Sequence, residues 1–316
     1  MALLASHLEN SPKTLGFGRS WTRIPAALGI LDADRQLQFM RAKFGTMKPC
    51  IFCGNPADSK EDLFPRWILK RVVTRQPLYR QLGDAPPEIT EDQEVRLPCV
   101  CQKCNNTWMS RMETTVKKVM AAMIEDLSLP LDRQNQQTLT EWAVKCAMCN
   151  DTVDPHPRFF TDVECRAFKQ KRAIPDRTLV FAARFTGRSL DSNGVDFTLI
   201  EPESGDLLVR GHVYNVMVGH VVLQVLSWHP EPQHKEKIIH IRAADGPWDK
   251  LTIQIWPIQK KSANWPPLMS LSTVVGVTHY GHFRTRFKNE AGHMLLTPKP
   301  KAKRSPESPV NLALFG

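Results

Sequence analysis

No histidine occurs between His7 and His156, so that stretch offers neither an imidazole base nor an imidazole metal ligand. No apolar run approaches the roughly 20 residues that a membrane span needs, which argues against a membrane partner. The opening Met1-Ala2-Leu3-Leu4-Ala5 is too short an apolar run for a secretory signal, and polar residues follow it. Without export, a cytoplasmic protein is expected, with its eight cysteines as thiols or metal ligands and not disulfides. No internal repeat is evident. Acids are missing from Arg66 to Arg80, where five basic residues stand, and bases are missing from Asp84 to Glu94, where five acids stand.

The 316 residues are 42% hydrophobic and 23% charged, the balance of a globular chain long enough for two domains. The net charge of +10 suits a polyanionic partner, of which nucleic acid is one class. Basic residues also gather from Arg284 to Arg304, seven of them against one acid.

Two Cys-x-x-Cys pairs stand out. Cys50-Ile51-Phe52-Cys53 ends in Gly54, and Cys101-Gln102-Lys103-Cys104 follows with Cys101 48 positions after Cys53. Thiolates favour tetrahedral zinc, and a two-residue gap lets both sulfurs of a pair reach one ion at about 2.3 Å. Structural Zn2+ on Cys50, Cys53, Cys101 and Cys104 is therefore expected. Leu63 to Val73 reads as a helix after Pro65 with a basic outer face carrying Arg66, Lys70 and Arg71. Residues 81–94 read as loop and Val95 to Val100 as a short strand. Asn105 or Asn106 is expected to cap a helix whose apolar positions run from Trp108 to Leu127 at helical spacing. Knuckle, strand and helix in this order predict a treble clef.

A second amphipathic helix is expected over residues 136–150, with Leu139, Trp142, Ala143, Cys146 and Cys149 along one side. These two cysteines, and Cys99 and Cys165, read as ordinary core, although Cys99 stands close enough to the knuckle to compete for metal. From Arg177 onward the pattern predicts antiparallel strands at Leu179–Phe185, Val195–Ile200, Val213–Trp228, Ile238–Ile241 and Leu251–Ile258, separated by segments such as Asp191-Ser192-Asn193-Gly194. Val213 to Val225 is expected as a central strand, or as two strands broken near Gly219. His212, His220, His229, His234 and His240 read as core or surface histidines. The expected fold class is α+β: a treble-clef zinc module at 47–126, then helices and an antiparallel β-rich domain at 127–286. Residues 1–46 are expected as a poorly patterned extension with a helix over Leu31–Phe44, and 287–316 as a basic, Pro-rich disordered tail.

Around the cysteines the chain resembles the HNH, or ββα-metal, endonucleases, and most closely a zinc-knuckle subgroup common among bacterial and phage proteins. The likeness rests on Cys50-Ile-Phe-Cys53-Gly54, on Ser59-Lys60-Glu61-Asp62-Leu63-Phe64-Pro65-Arg66-Trp67 and on Cys101-Gln-Lys-Cys104-Asn105-Asn106-Thr107-Trp108-Met109-Ser110-Arg111-Met112-Glu113. It continues more weakly through Glu141 to Lys145 and Gln254 to Pro257. The resemblance implies a structural zinc on the four cysteines and a separate catalytic Mg2+ or Mn2+. It places Glu61 and Glu113 as oxygen ligands and Asn105 as the residue orienting that ion, and it implies double-stranded DNA as the partner; Arg66, Lys70 and Arg71 are then expected on its backbone phosphates. Where the family has its histidine base, this chain has Asp62. Aspartate, with a pKa near 3.9 against about 6.5 for histidine, is the weaker base and is expected to hold the ion or activate water less well. Asp62 has a plain structural role open to it as well, before Pro65 at a helix N-terminus. Two functions follow: a metal-dependent DNA endonuclease, and a catalytically silent zinc-stabilised binding module.

Overall fold

Strand β1 (Ser59–Asp62) pairs antiparallel with β4 (Arg96–Val100), setting Asp62 opposite Arg96 and Glu61 opposite Leu97. This ladder underlies the cysteine knuckle. The computed structural model describes residues 48–72, 78–80, 86, 88–90, 94–153, 157–201, 204–234, 240–243, 248–272, 285–289, 292–294 and 297–298. The extension expected over 1–46, with its helix, lies outside these residues. All described residues belong to one unit, Met47–Gly316.

Pro65 starts a single helical turn, α1 (Arg66–Leu69), shorter than the expected helix. Before the stretch read as loop over 81–94 lies β2 (Leu78–Arg80), and within it β3 (Glu88–Thr90) pairs antiparallel with β2. After β4 come a short turn, α2 (Gln102–Cys104), a π-helical turn (Asn105–Met109) and helix α3 (Ser110–Ile124). The N-cap is Cys101, whose sulfur accepts from the Cys104 N–H, and not the expected Asn105 or Asn106. Helix α3 buries Met112, Val116, Val119, Met120, Met123 and Ile124, the spacing read from the sequence.

Strand β5 (Leu129–Asp132) leads into helix α4 (Arg133–Asn150), where the Asp132 carboxylate caps the Asn135 N–H at 2.7 Å. Twelve of the 18 residues of α4 are buried, so it is a core helix and not a surface one. Helix α5 (Asp162–Lys171) opens on a capping box between Thr161 and Glu164.

The β-rich part is dominated by one long hairpin, β6 (Thr178–Ile200) with β7 (Leu207–Pro230). Two strands expected separately merge here. Asp191 to Gly194 has turn-like composition, yet each residue is held in register opposite Met217 to Tyr214. Long-range pairing overrides local preference. The irregularity lies instead at Arg184–Ser189, opposite Gly219, whose φ of 61° suits only glycine without strain. Among the described residues β7 pairs only with β6, so it is not the expected central strand. It is apolar because helices and side-chain clusters bury it, not because strands flank it on both sides. Strand β8 (His240–Ala243), helix α6 (Trp248–Leu251) and β9 (Thr252–Trp256) follow, β9 pairing with the other edge of β6. Strand β10 (Ser262–Trp265) returns to β5. The stretch expected as a tail contributes backbone pairing in β11 (Thr285–Asn289), β12 (Gly292–Met294) and β13 (Thr297–Pro298); the residues after Pro298 lie outside those described.

The fold is thus α+β, helices with antiparallel sheets. Phe52, Trp108, Met120 and Trp142 belong to the same hydrophobic cluster as Tyr214, Val225, Ile255 and Trp265, so the knuckle and the hairpin are packed on one core. Among the described residues no helix is long and apolar enough to cross a membrane.

Candidate metal centre

Two tight local structures bring four sulfurs together. In the first, the Gly54 N–H returns to the Cys50 carbonyl at 2.8 Å, and the φ of 77° at Gly54 makes glycine the residue for this turn. The second is the Cys101 cap at the start of α2. The Sγ atoms of Cys50, Cys53, Cys101 and Cys104 all lie within 4.8 Å of one another, with Cys53 and Cys101 at 3.4 Å. A tetrahedral zinc with bonds of about 2.3 Å spaces its sulfurs about 3.8 Å apart, so the set suits one zinc ion. None of the four is in a disulfide.

Burial pushes the Cys104 and Cys50 thiols above the ordinary range. Burial also opposes ionisation of Cys53, but the Asn55 backbone N–H and the neighbouring sulfurs outweigh it and lower its pKa. A divalent cation is what stabilises four thiolates at such a place. Cys99 is not part of the cluster. It hydrogen-bonds Cys149, which, together with burial, raises the Cys149 thiol.

The expected catalytic residues lie beside this centre but on opposite faces of β1. Strand alternation turns Glu61 inward, only 2% exposed, and leaves the side chain of Asp62 38% exposed. Glu61 forms a short ion pair with the fully buried ammonium of Lys145 on α4. Lys145 also lies 3.6 Å from the Glu113 carboxylate on α3. Burial works against the charge on Lys145, but the surrounding Cys146, Glu61 and Glu113 hold its pKa well above the ordinary value. Burial itself pushes Cys146 up to about 12, so at neutral pH the two carboxylates carry that effect. Burial raises Glu113, with Lys145 opposing and Glu61 and Asp62 adding to the rise.

Asp62 faces Arg96 Nε at 3.3 Å. Asn105 donates its side-chain amide to the Ser59 hydroxyl at 3.1 Å and the Lys60 carbonyl at 2.9 Å, tying β1 to the π-turn. Among the described residues, Glu61, Asp62 and Glu113 do not bring three oxygens within 4.8 Å of one another. Of the basic trio, Arg66 and Lys70 are exposed, with Arg66 Nε 3.5 Å from Glu94. Arg71 is half-buried, donates to the Trp67 carbonyl at 3.2 Å and lies over the Trp67 ring.

No family model, curated protein or solved structure matches this chain. Its chemistry is therefore carried by its own geometry.

Two features escaped the sequence. Lys145 stood in plain view as a charge inside an apolar helix, a signal that an acid must meet it. The other is His212 on β7, whose Nδ1 lies 2.7 Å from Asp196 Oδ1 on β6 and which comes together with Asp151 at the end of α4. Sixty-one positions separate Asp151 from His212, and no local spacing announces the pair.

Proposed function

We propose that residues 47–126 are a zinc-stabilised treble-clef module of HNH type that binds nucleic acid, with double-stranded DNA as the expected partner, and does not hydrolyse it. The observation that carries this reading is the Lys145 ammonium between Glu61 and Glu113. An ammonium there supplies the positive charge that a catalytic Mg2+ or Mn2+ would supply, and it neutralises the carboxylate expected to bind such an ion. Asp62 is engaged by Arg96, and Asn105 serves the β1 backbone. Zinc on the four cysteines fixes the ladder and α2; exposed Arg66 and Lys70 beside it meet phosphates.

A second reading, a metal-dependent endonuclease, has one observation in its favour. The Glu113 side chain is 25% exposed, and its carboxyl is raised by burial and, in part, by Asp62. Two solvent-reachable carboxylates that sense each other are able to share a hard cation. A plasmid-nicking assay with Mg2+ and with Mn2+, alongside duplex binding, separates the two. The expected outcome is binding without nicking, in the wild type and in Asp62→His alike. Nicking by the wild type that is lost in Asp62→Ala establishes the endonuclease instead.

A further inference from the structure

The end of α4, the loop after it and the long hairpin meet at His212. The imidazole is 4% exposed, and its Nε2 is buried without a hydrogen-bond partner. Its plane is fixed. Phe159 stacks on it at 5.7 Å and 19°, Phe160 meets it edge-on at 5.8 Å, and Asp196 holds Nδ1. With Nδ1–H on the Asp196 carboxylate, a bare Nε2 so oriented and so dry needs either a hydrogen-bond donor or a Lewis acid.

Oxygen ligands stand around it. One ligand atom from each of Asp151, Asp196 and His212 lies within 4.8 Å of the other two. The Asp151 carboxylate is itself positioned, accepting from the Phe159 N–H at 3.1 Å and the Phe160 N–H at 2.9 Å, which leaves lone pairs on both oxygens. Gly194 supplies the room. A Cβ there would lie 2.6 Å from Asn150 Oδ1 and 3.4 Å from His212 Nε2, so both atoms border the small space that the glycine keeps open. Asp151 is also the C-cap of an 18-residue helix, where the backbone dipole favours a cation. Nearby Arg158 does not fill this place, since it is paired with Asp162.

We propose that His212 Nε2, the Asp151 carboxylate and Asn150 Oδ1 form a second cation site, with Asp196 as the orienting partner on Nδ1. One imidazole with oxygen donors suits a divalent first-row cation such as Mn2+, a different class from the thiolate zinc centre. A cation about 2.1 Å from each ligand spaces its ligands about 3 to 4 Å apart; Asp151 and His212 already present ligand atoms within 4.8 Å of each other, and Asn150 Oδ1 borders the same small space beside Gly194. The Asp196–imidazole contact is the arrangement by which outer carboxylates raise the basicity of a ligating histidine. Bound there, the ion joins the C-terminus of α4 to both strands of the hairpin.

The test is a Mn2+ titration of the zinc-loaded full chain, followed by the loss of the free-ion electron paramagnetic resonance signal. Zinc content and circular dichroism check the fold. The wild type is expected to take up one Mn2+ per chain, and His212→Gln none. Asp196→Asn is expected to bind about 10- to 100-fold more weakly. It decides the matter if His212→Gln does not fold. Asp62→Asn is expected to bind as the wild type does, which separates this site from any ion near Glu113. No uptake by the wild type, or uptake unchanged in both His212→Gln and Asp196→Asn, overturns the proposal and leaves a water or nothing on Nε2. Loss of uptake in Asp62→Asn also overturns it.

Discussion

Lys145 decides more about this molecule than any other single residue. It is fully buried on a helix whose neighbours are Val144, Cys146 and Ala147, and its charge is matched by Glu61 from a strand 84 positions earlier. A buried pair of this kind adds little net stability compared with an apolar pair, because both charges lose their water. Removing one partner is another matter. Lys145→Met leaves the buried Glu61 carboxyl without its partner, and is expected to destabilise the protein by about 3–5 kcal/mol in urea unfolding. Glu113 is a quarter exposed, so the buried Glu61 sets the cost. Adding Glu61→Leu to Lys145→Met is expected to recover most of the loss. A single variant as stable as the wild type would mean that the pair is not buried as described. The pairing is illegible in the sequence for the same reason: a charge inside an apolar helix announces that a partner exists, but not where it lies.

At the scale of elements, the two knuckles are the part that local sequence determines. Cys50 and Cys53 close within one glycine turn, and Cys101 and Cys104 within one helical cap, so each pair is set by residues three apart. Their meeting depends on β1 pairing with β4, which brings the two turns together. Metal binding at the four cysteines is therefore expected to depend on the ladder. Elemental analysis of protein purified without chelator is expected to find about one zinc per chain at this centre, and Cys101→Ser to release it and lower the thermal midpoint. Zinc retained in Cys101→Ser would remove the cysteine cluster as its ligand set. Helix α3 was equally legible, since 3.6-residue periodicity survives packing, whereas α4 was legible as a helix but not as one buried on most of its sides. The hairpin was not. Asp191 to Gly194 carries the composition of a turn, yet 23 residues of β6 run through it, because the ladder to β7 and the core beneath outweigh a local preference worth about 1 kcal/mol at most. The one-turn α1 and the π-turn at Asn105 were also beyond the periodic signal, as each answers to a tertiary contact.

For the whole molecule, charge is the property that the fold leaves most open to a partner. The net charge is +10, while the buried charges Glu61 and Lys145 cancel each other and contribute nothing outside. Arg66 and Lys70 stand exposed, and the one-turn helix holds them four residues apart on the same side. A duplex held through its phosphates releases counterions, so its affinity falls linearly on a log–log plot as salt rises. Fluorescence anisotropy of a labelled duplex, titrated from low to physiological salt, reads this slope directly. Replacing both Arg66 and Lys70 by Gln is expected to weaken binding to unrelated sequences alike and to reduce the steepness of the slope by about 2, close to one for each phosphate no longer neutralised. Arg71, half-buried and engaged with Trp67, is expected to change the slope less and stability more. Binding that ignores salt, or a slope unaltered in the double variant, would move the partner surface away from the zinc module. The charge would then matter for solubility, and a protein-binding role for the hairpin would become the better account.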